Sequence, residues 1–205
     1  MQKLVSIILL LGVLISCGET KEKKNDQKTS QDKTQPAEVS KTLPSADYSS
    51  LLVNYECDVT VAEVAKIFNL PETDVSIPEF TQAGKCSFEI KGFGKNALGG
   101  TIMTWGATPF SKADSKKEIQ GFLKDQENDE SMFGMGIDLA ETGDCYIART
   151  PHVGRVVIYN ENYDHAFYFE YSQKGIYKGR NDEQHAKLGE KTIALANYLL
   201  KKHKK

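Results

Sequence analysis

The side chains able to do chemistry are scattered, and their spacing decides what each group could do. The histidines are His152, His165, His185 and His203. No H-E-x-x-H pair occurs among them, so they lack the one-face helical spacing that a zinc hydrolase needs. Cys145 and His152 could share a metal, but two ligands are too few for a structural zinc site. Asp164-His165 has the chemistry of an oriented base, yet no G-x-S-x-G elbow supplies a nucleophile for it. Asp125, Glu127, Asp129 and Ser131 alternate like the first ligands of a calcium loop. Glu130 then stands where glycine is needed and Gly136 where the bidentate Glu is needed, which excludes an EF-hand. Gly92-Phe93-Gly94-Lys95-Asn96-Ala97 spells G-x-G-x-x-A after a strand, the form of a dinucleotide fingerprint. That motif must open a helix so that its amides meet the pyrophosphate, whereas Leu98-Gly99-Gly100 leads into the β-branched run at Thr101 and Ile102, so a hairpin loop is expected. No cofactor and no metal site follow from these residues.

The remaining chemistry is recognition. Tyr159, Tyr163, Phe167, Tyr168, Phe169 and Tyr171 crowd one hairpin. Alternation along its second strand sends Phe167, Phe169 and Tyr171 to one face, the core, and Tyr168 with Glu170 to the other. Tyr163 in the turn, Tyr168 and Glu170 are therefore the candidate partner-binding residues, since tyrosine offers contact area with a polar tip. The competing reading is that Tyr168 packs an outer sheet face.

The elements that position these groups read as follows. Thr60 and Glu63 stand at capping-box spacing before Val61, Val64, Ala65 and Phe68, giving a helix that ends at Leu70-Pro71. Cys86 to Ile90 alternates as a strand, and Thr101 to Trp105 follows as its hairpin partner. A second helix is expected over Ser111 to about Gln126, capped by Ser115 and Glu118 and presenting Ile119, Phe122 and Leu123. Asn128 to Gly136 reads as a loop. Strands are expected over Cys145 to Thr150, Arg155 to Tyr159 and His165 to Tyr171. A third helix covers about Asp182 to Lys202, with Leu188, Thr192, Ala196 and Leu199 on its core face and Lys201 to Lys205 at its dipole's negative end. The sum is an α+β sandwich: an antiparallel sheet of about five strands packed with three helices.

The first residues carry an address. Lys3 precedes an uncharged apolar run from Leu4 to Ile15, too short for the roughly 20 residues of a spanning helix. Leu14-Ile15-Ser16-Cys17 closes that run and resembles the lipobox of bacterial lipoproteins. The resemblance implies removal of residues 1–16 as a signal peptide and lipid attachment on Cys17, so that the mature protein is anchored to a membrane. Gly18 after Cys17, rather than aspartate, resembles outer-membrane lipoproteins should the cell be Gram-negative. Residues 17–46, rich in Lys, Glu, Gln and Thr, form a tether that cannot bury enough apolar surface to fold, with a reach of roughly 30 Å. Residues 47–205 are the single globular domain.

Processing removes Lys3 from the 26 Lys+Arg set against 28 Asp+Glu and leaves a net charge of −3, which argues against a nucleic-acid partner. Of four cysteines, lipidation leaves Cys57, Cys86 and Cys145. Cys57 before the first helix and Cys86 at the opening of the first strong strand are the favoured disulfide, with Cys57–Cys145 the alternative. Cys57, Thr60-Val61-Ala62-Glu63-Val64-Ala65 and Cys86-Ser87-Phe88 also resemble small bacterial lipoprotein domains of unknown function. That resemblance implies the same fold and the same cysteine pair.

The expectation for function is a lipid-anchored cell-envelope protein, not an enzyme, whose domain is a binding or accessory module with an envelope protein as partner. The alternatives are a small-molecule carrier, an immunity-type inhibitor and an unrecognised hydrolase. A carrier would show a cavity lined by Trp105 or by the Met132 to Met135 loop.

Overall fold

The computed structural model describes residues 46–95 and 99–205. The Leu14–Cys17 box, the lipidation expected at Cys17, the stretch expected to be a tether except for Ala46, and the Asn96-Ala97 end of the glycine loop lie outside the described residues. In chain order the elements are α1 (Ser49–Leu52), α2 (Val61–Phe68), β1 (Val75–Ser76), β2 (Cys86–Ile90), β3 (Thr101–Pro109), α3 (Lys112–Glu127), β4 (Gly136–Leu139), β5 (Tyr146–Thr150), β6 (Arg155–Tyr159), β7 (His165–Glu170) and α4 (Asp182–His203). The strands form one seven-stranded sheet in the order β1-β2-β3-β7-β6-β5-β4, antiparallel at every pairing. The chain is therefore α+β, with seven strands and four α-helices among the described residues rather than five and three. The additions are short. β1 has two residues, α1 has four, and β4 lies at the Gly136 end of the stretch expected to be a loop, buried at Gly136 and Ile137 and exposed at Asp138 and Leu139. None shows a full period of apolar alternation, because each is held by neighbours rather than by its own pattern.

Local chemistry explains the helix ends. Thr60 Oγ1 accepts from the Glu63 amide at 3.2 Å while Glu63 Oε2 accepts from the Thr60 amide at 2.7 Å, a reciprocal capping box. α2 stops at Asn69, whose φ of 55° is left-handed, one residue earlier than the proline alone requires. α3 corrects the sequence reading. Its cap is Ser111, which accepts from the Asp114 amide at 3.1 Å, and Ser115 is buried within the helix. Ser111 and Asp114 repeat the same S-x-x-acid spacing one turn earlier, and Ser115 is drawn inside because it shares the sheet-facing side with Ile119. Leu123, expected on that stripe, stays 40% exposed.

Each sheet face has its own core. On one face α1, α2 and α4 cover Phe88, Met103, Trp105, Ile158, Phe167 and Phe169. Trp105 stacks on Phe88 with ring centroids 5.2 Å apart and donates its indole N–H to Tyr55 Oη at 2.9 Å, so its one polar atom is satisfied. Burial of each such side chain contributes about 1.5–3 kcal/mol. Across the sheet α3 lays Ile119 over Ile137, Ala148, Val157, Tyr159 and Ala166.

Covalent and polar ties close the domain. Cys57 and Cys86 form the disulfide, with Cα atoms 5.1 Å apart. Cys145 is free and buried, its thiol pushed up to about 12 by burial, so it is a packed apolar residue rather than a nucleophile. Asp47 and Lys205 exchange backbone hydrogen bonds of 3.1 Å in both directions, which places the chain's entry to the domain beside its exit. The terminal lysines are occupied with acidic partners. Lys201 pairs with Glu141, Lys202 with Asp58 at 3.3 Å and Glu63 at 3.4 Å, and Lys204 with buried Asp144 at 2.9 Å.

Candidate ligand cleft

On the α3 face the helix leaves part of the sheet open, and the gap is a cleft of about 270 Å³. Its floor comes from alternation. Arg155, Val157 and Tyr159 share one side of β6, and the register places Thr150 opposite Arg155, Ala148 opposite Val157, and Tyr168 on β7 opposite Val157. Phe110 enters from the end of β3, Glu118 and Phe122 stand on α3, and Met135 closes the side from the segment before β4. The cleft thus combines aromatic walls with polar groups from Glu118, Thr150, Arg155 and the two tyrosine hydroxyls, a mixture that a small-molecule site can use for orientation.

The polar groups are arranged around two phenols. The Arg155 guanidinium lies 5.5 Å above the Tyr168 ring centroid and pairs with Glu170 at 2.7 Å. Phe110 meets Tyr159 at 5.6 Å and Tyr168 edge-on at 6.5 Å. Burial raises the Tyr159 phenol well above its ordinary range, with further contributions from the neighbouring Tyr168 and Glu118. Burial also raises Tyr168, against the opposing pull of Arg155. Both phenols consequently stay protonated at neutral pH, as hydrogen-bonding groups rather than bases. In the segment leading to Met135, Met132 and Phe133 are 65% and 72% exposed, and Phe133 holds a left-handed φ of 53° with its ring 5.6 Å from His152.

The structure divides the three recognition residues. Tyr168 and Glu170 come together through Arg155, on the cleft side of the sheet. Tyr163 packs against the other core, where its hydroxyl accepts from the Tyr48 amide at 2.6 Å and donates to Asp47 Oδ1 at 3.3 Å. It therefore fastens the domain's first residues instead of sharing a patch with Tyr168. Arg155 and Phe110 were not singled out in the sequence, and Glu118 was named there only as a helix cap. The period-two run from Arg155 to Tyr159 already aligns Arg155 with Tyr159, but only the β6–β7 register brings Tyr168 beside them.

Among the remaining sequence candidates, His185, His203 and Asp164 have structural partners. His185 Nε2 lies 2.7 Å from the Pro151 carbonyl, and His203 lies 3.0 Å from Ser50 Oγ and 3.4 Å from Asp58. Asp164 Oδ1 accepts from the Lys112 amide at 3.2 Å, at the start of α3. Phe93 and Gly94 of the G-x-G run serve a buried arginine. Arg180 donates to the carbonyls of Phe93 at 2.8 Å, Tyr171 at 3.0 Å and Ser172 at 2.9 Å, and to Thr101 Oγ1 at 2.8 Å. Its guanidinium also covers the Tyr177 ring at 4.0 Å. Gly94 is needed there, because a Cβ would come within 2.9 Å of the Arg180 Cβ. Among the described residues no group of three His, Cys, Asp or Glu side chains could hold a metal, and no helix is long and apolar enough to cross a membrane. No family model, no curated protein and no solved structure matches this chain.

Proposed function

We propose that this is a lipid-anchored protein of the cell envelope whose domain is a non-catalytic binding module, and that it acts as a carrier or receptor for a small molecule held under α3. The observation that carries the reading is the aromatic cleft, about 270 Å³ in volume and lined by Met135 from the Met132 to Met135 segment. Trp105, the other residue expected at such a cavity, is buried in the opposite core. A binding role is further supported by the state of the polar groups: the two phenols are held protonated and Arg155 is engaged by Glu170, an arrangement suited to contact rather than to proton transfer. A protein partner gripping Tyr163 and Tyr168 together has less support, because those rings serve opposite faces of the sheet. The lipid anchor rests on Leu14-Ile15-Ser16-Cys17.

The test is a backbone-amide NMR titration of the protein with a library of small apolar and aromatic compounds. Binders are expected to shift the amides of Ala148, Val157, Tyr159 and Tyr168, and Tyr168→Ala should weaken them by about tenfold, the loss of one aromatic wall. Compounds that never perturb these amides, or that bind Tyr168→Ala equally well, refute the carrier reading. Incorporation of labelled palmitate, lost in Cys17→Ala, tests the anchor separately.

A further inference from the structure

We infer that the cleft selects a small neutral molecule with a flat apolar body and a hydrogen-bond acceptor, such as a ring bearing a carbonyl group, and that Arg155 reads the acceptor. This rests on the cleft being a ligand site, and it names the class of ligand. The reason lies in which polar groups of the lining remain unspent. Arg155 lines the cleft from β6 and covers the Tyr168 ring at 5.5 Å. Among the described residues its guanidinium makes one hydrogen bond, from Nη2 to Glu170 Oε1 at 2.7 Å. Nε is shielded from solvent and has no acceptor, and a bond left unmade by a buried donor is costly. The phenols of Tyr159 and Tyr168 stay protonated and add hydroxyl donors. N–H and O–H groups thus surround an apolar floor of Ala148 and Val157, and the guanidinium lacks an acceptor.

Ionic ligands fare worse. A cation finds the Tyr168 ring already covered by a guanidinium, so the aromatic attraction it would use is taken and like charge opposes it. Glu118 is no counter-charge for it, because that carboxylate is exposed on α3 beside the exposed Lys116 and Lys117 and is screened by solvent. An anion meets a guanidinium already matched by Glu170. It would leave net negative charge beside Tyr168, whose phenol the Glu170 charge already acts to raise. A neutral acceptor adds no charge and takes the N–H groups that Glu170 leaves over. At about 30 Å³ per water-sized unit, a volume of about 270 Å³ admits a ligand of on the order of ten heavy atoms. That is enough for one ring and its carbonyl group, with the ring among the aromatic walls and the oxygen toward Arg155.

The experiment titrates the full chain with four probes of matched size: acetophenone, ethylbenzene, benzoate and benzylammonium. Binding is read from the amide shifts of Val157, Tyr159 and Tyr168. Acetophenone is expected to bind about tenfold more tightly than ethylbenzene, and both ions more weakly than the ketone. In Arg155→Met, which keeps an apolar stem and removes the donors, the preference for ketone over hydrocarbon should fall to about twofold or less. Unmoved amides of Val64 and Leu195, in the opposite core, report that this variant is folded. In Glu170→Gln, at an exposed position, benzoate should gain about tenfold while acetophenone changes by about twofold or less. Equal binding of acetophenone and ethylbenzene, tightest binding of either ion, a ketone preference that survives Arg155→Met, or no gain for benzoate in Glu170→Gln each overturns the neutral-acceptor inference while leaving the cleft a ligand site. Should Arg155→Met fail to fold, the wild-type ranking and Glu170→Gln decide. If none of the probes moves these amides, both readings fall together.

Discussion

Replacing Arg180 by Met tests how the loops at one end of the sheet are held. Arg180 is only 5% exposed, and no carboxylate pairs with it among the described residues. Its charge is instead balanced by the carbonyls of Phe93, Tyr171 and Ser172 and by Thr101 Oγ1. The guanidinium thereby joins the glycine loop after β2, the end of β7 and the approach to α4 in one node. Methionine keeps the apolar stem and the volume over Tyr177, but it strips donors from three backbone carbonyls. The Phe93 carbonyl keeps the Thr101 hydroxyl at 2.9 Å, and orphaning each of the other two costs about 1–3 kcal/mol, partly offset because a buried charge is no longer desolvated. A net loss of about 3 kcal/mol is the expected outcome, or on the order of 10 °C in Tm for a chain of this size. The assay is urea unfolding followed by circular dichroism, with Arg180→Lys as the comparison. A single ammonium cannot reproduce the planar fork, so Lys should lose within about 1 kcal/mol of what Met loses. If Lys is as stable as the wild type, positive charge rather than fork geometry is what matters. If Met loses less than about 1 kcal/mol, the node is not holding the loops.

The disulfide and the acid at the foot of α2 give two further tests. Cys57 and Cys86 are separated by 29 residues, a loop whose closure stabilises the fold by about 3.5 kcal/mol in the chain-entropy account. Cys57→Ala/Cys86→Ala should therefore lower Tm by on the order of 10 °C, and a drop below about 3 °C in differential scanning calorimetry would contradict the entropic account. The Glu63 carboxyl is held down from 4.5 to about 2, chiefly by the Tyr198 hydroxyl and then by the Thr60 amide. Its folded pKa is depressed, so its contribution is fully present above pH 4.5 and is lost as pH falls toward about 2. Partial exposure reduces that contribution to about 1–2 kcal/mol. Glu63→Gln should be less stable by that amount at pH 7, and should nearly match the wild type at pH 2 in denaturant titrations. A gap that stays constant across this window would rule out titration of Glu63 as the cause.

The α2 capping box, the core stripe of α4, the β6 and β7 strands and the Cys57–Cys86 pair were all legible in the sequence, because each rests on a short-range period or on residues with few alternatives. The core side of β7 was legible for the same reason: alternation alone sends Phe167 and Phe169 inward, and both are fully buried. Where two local solutions competed, the sequence was insufficient. Ser111-x-x-Asp114 and Ser115-x-x-Glu118 are equivalent as caps, and only contact of Ser115 and Ile119 with the sheet side chose between them. β1 and β4 are edge strands whose backbone pairing is supplied by β2 and β5, so their residues carry little pattern of their own.

The candidate site divides along the same line. Composition marked the hairpin as aromatic, and period two separated Tyr168 from the core residues beside it. The sequence could not show that α3 crosses the sheet to set Glu118 and Phe122 over that tyrosine, nor that Tyr163 turns to the other side to hold Tyr48 and Asp47. Those placements depend on which strands pair and which helix covers which face, contacts between residues far apart in the chain. Local spacing therefore determined the elements and their faces, and tertiary packing alone decided that a cleft exists and which charges line it.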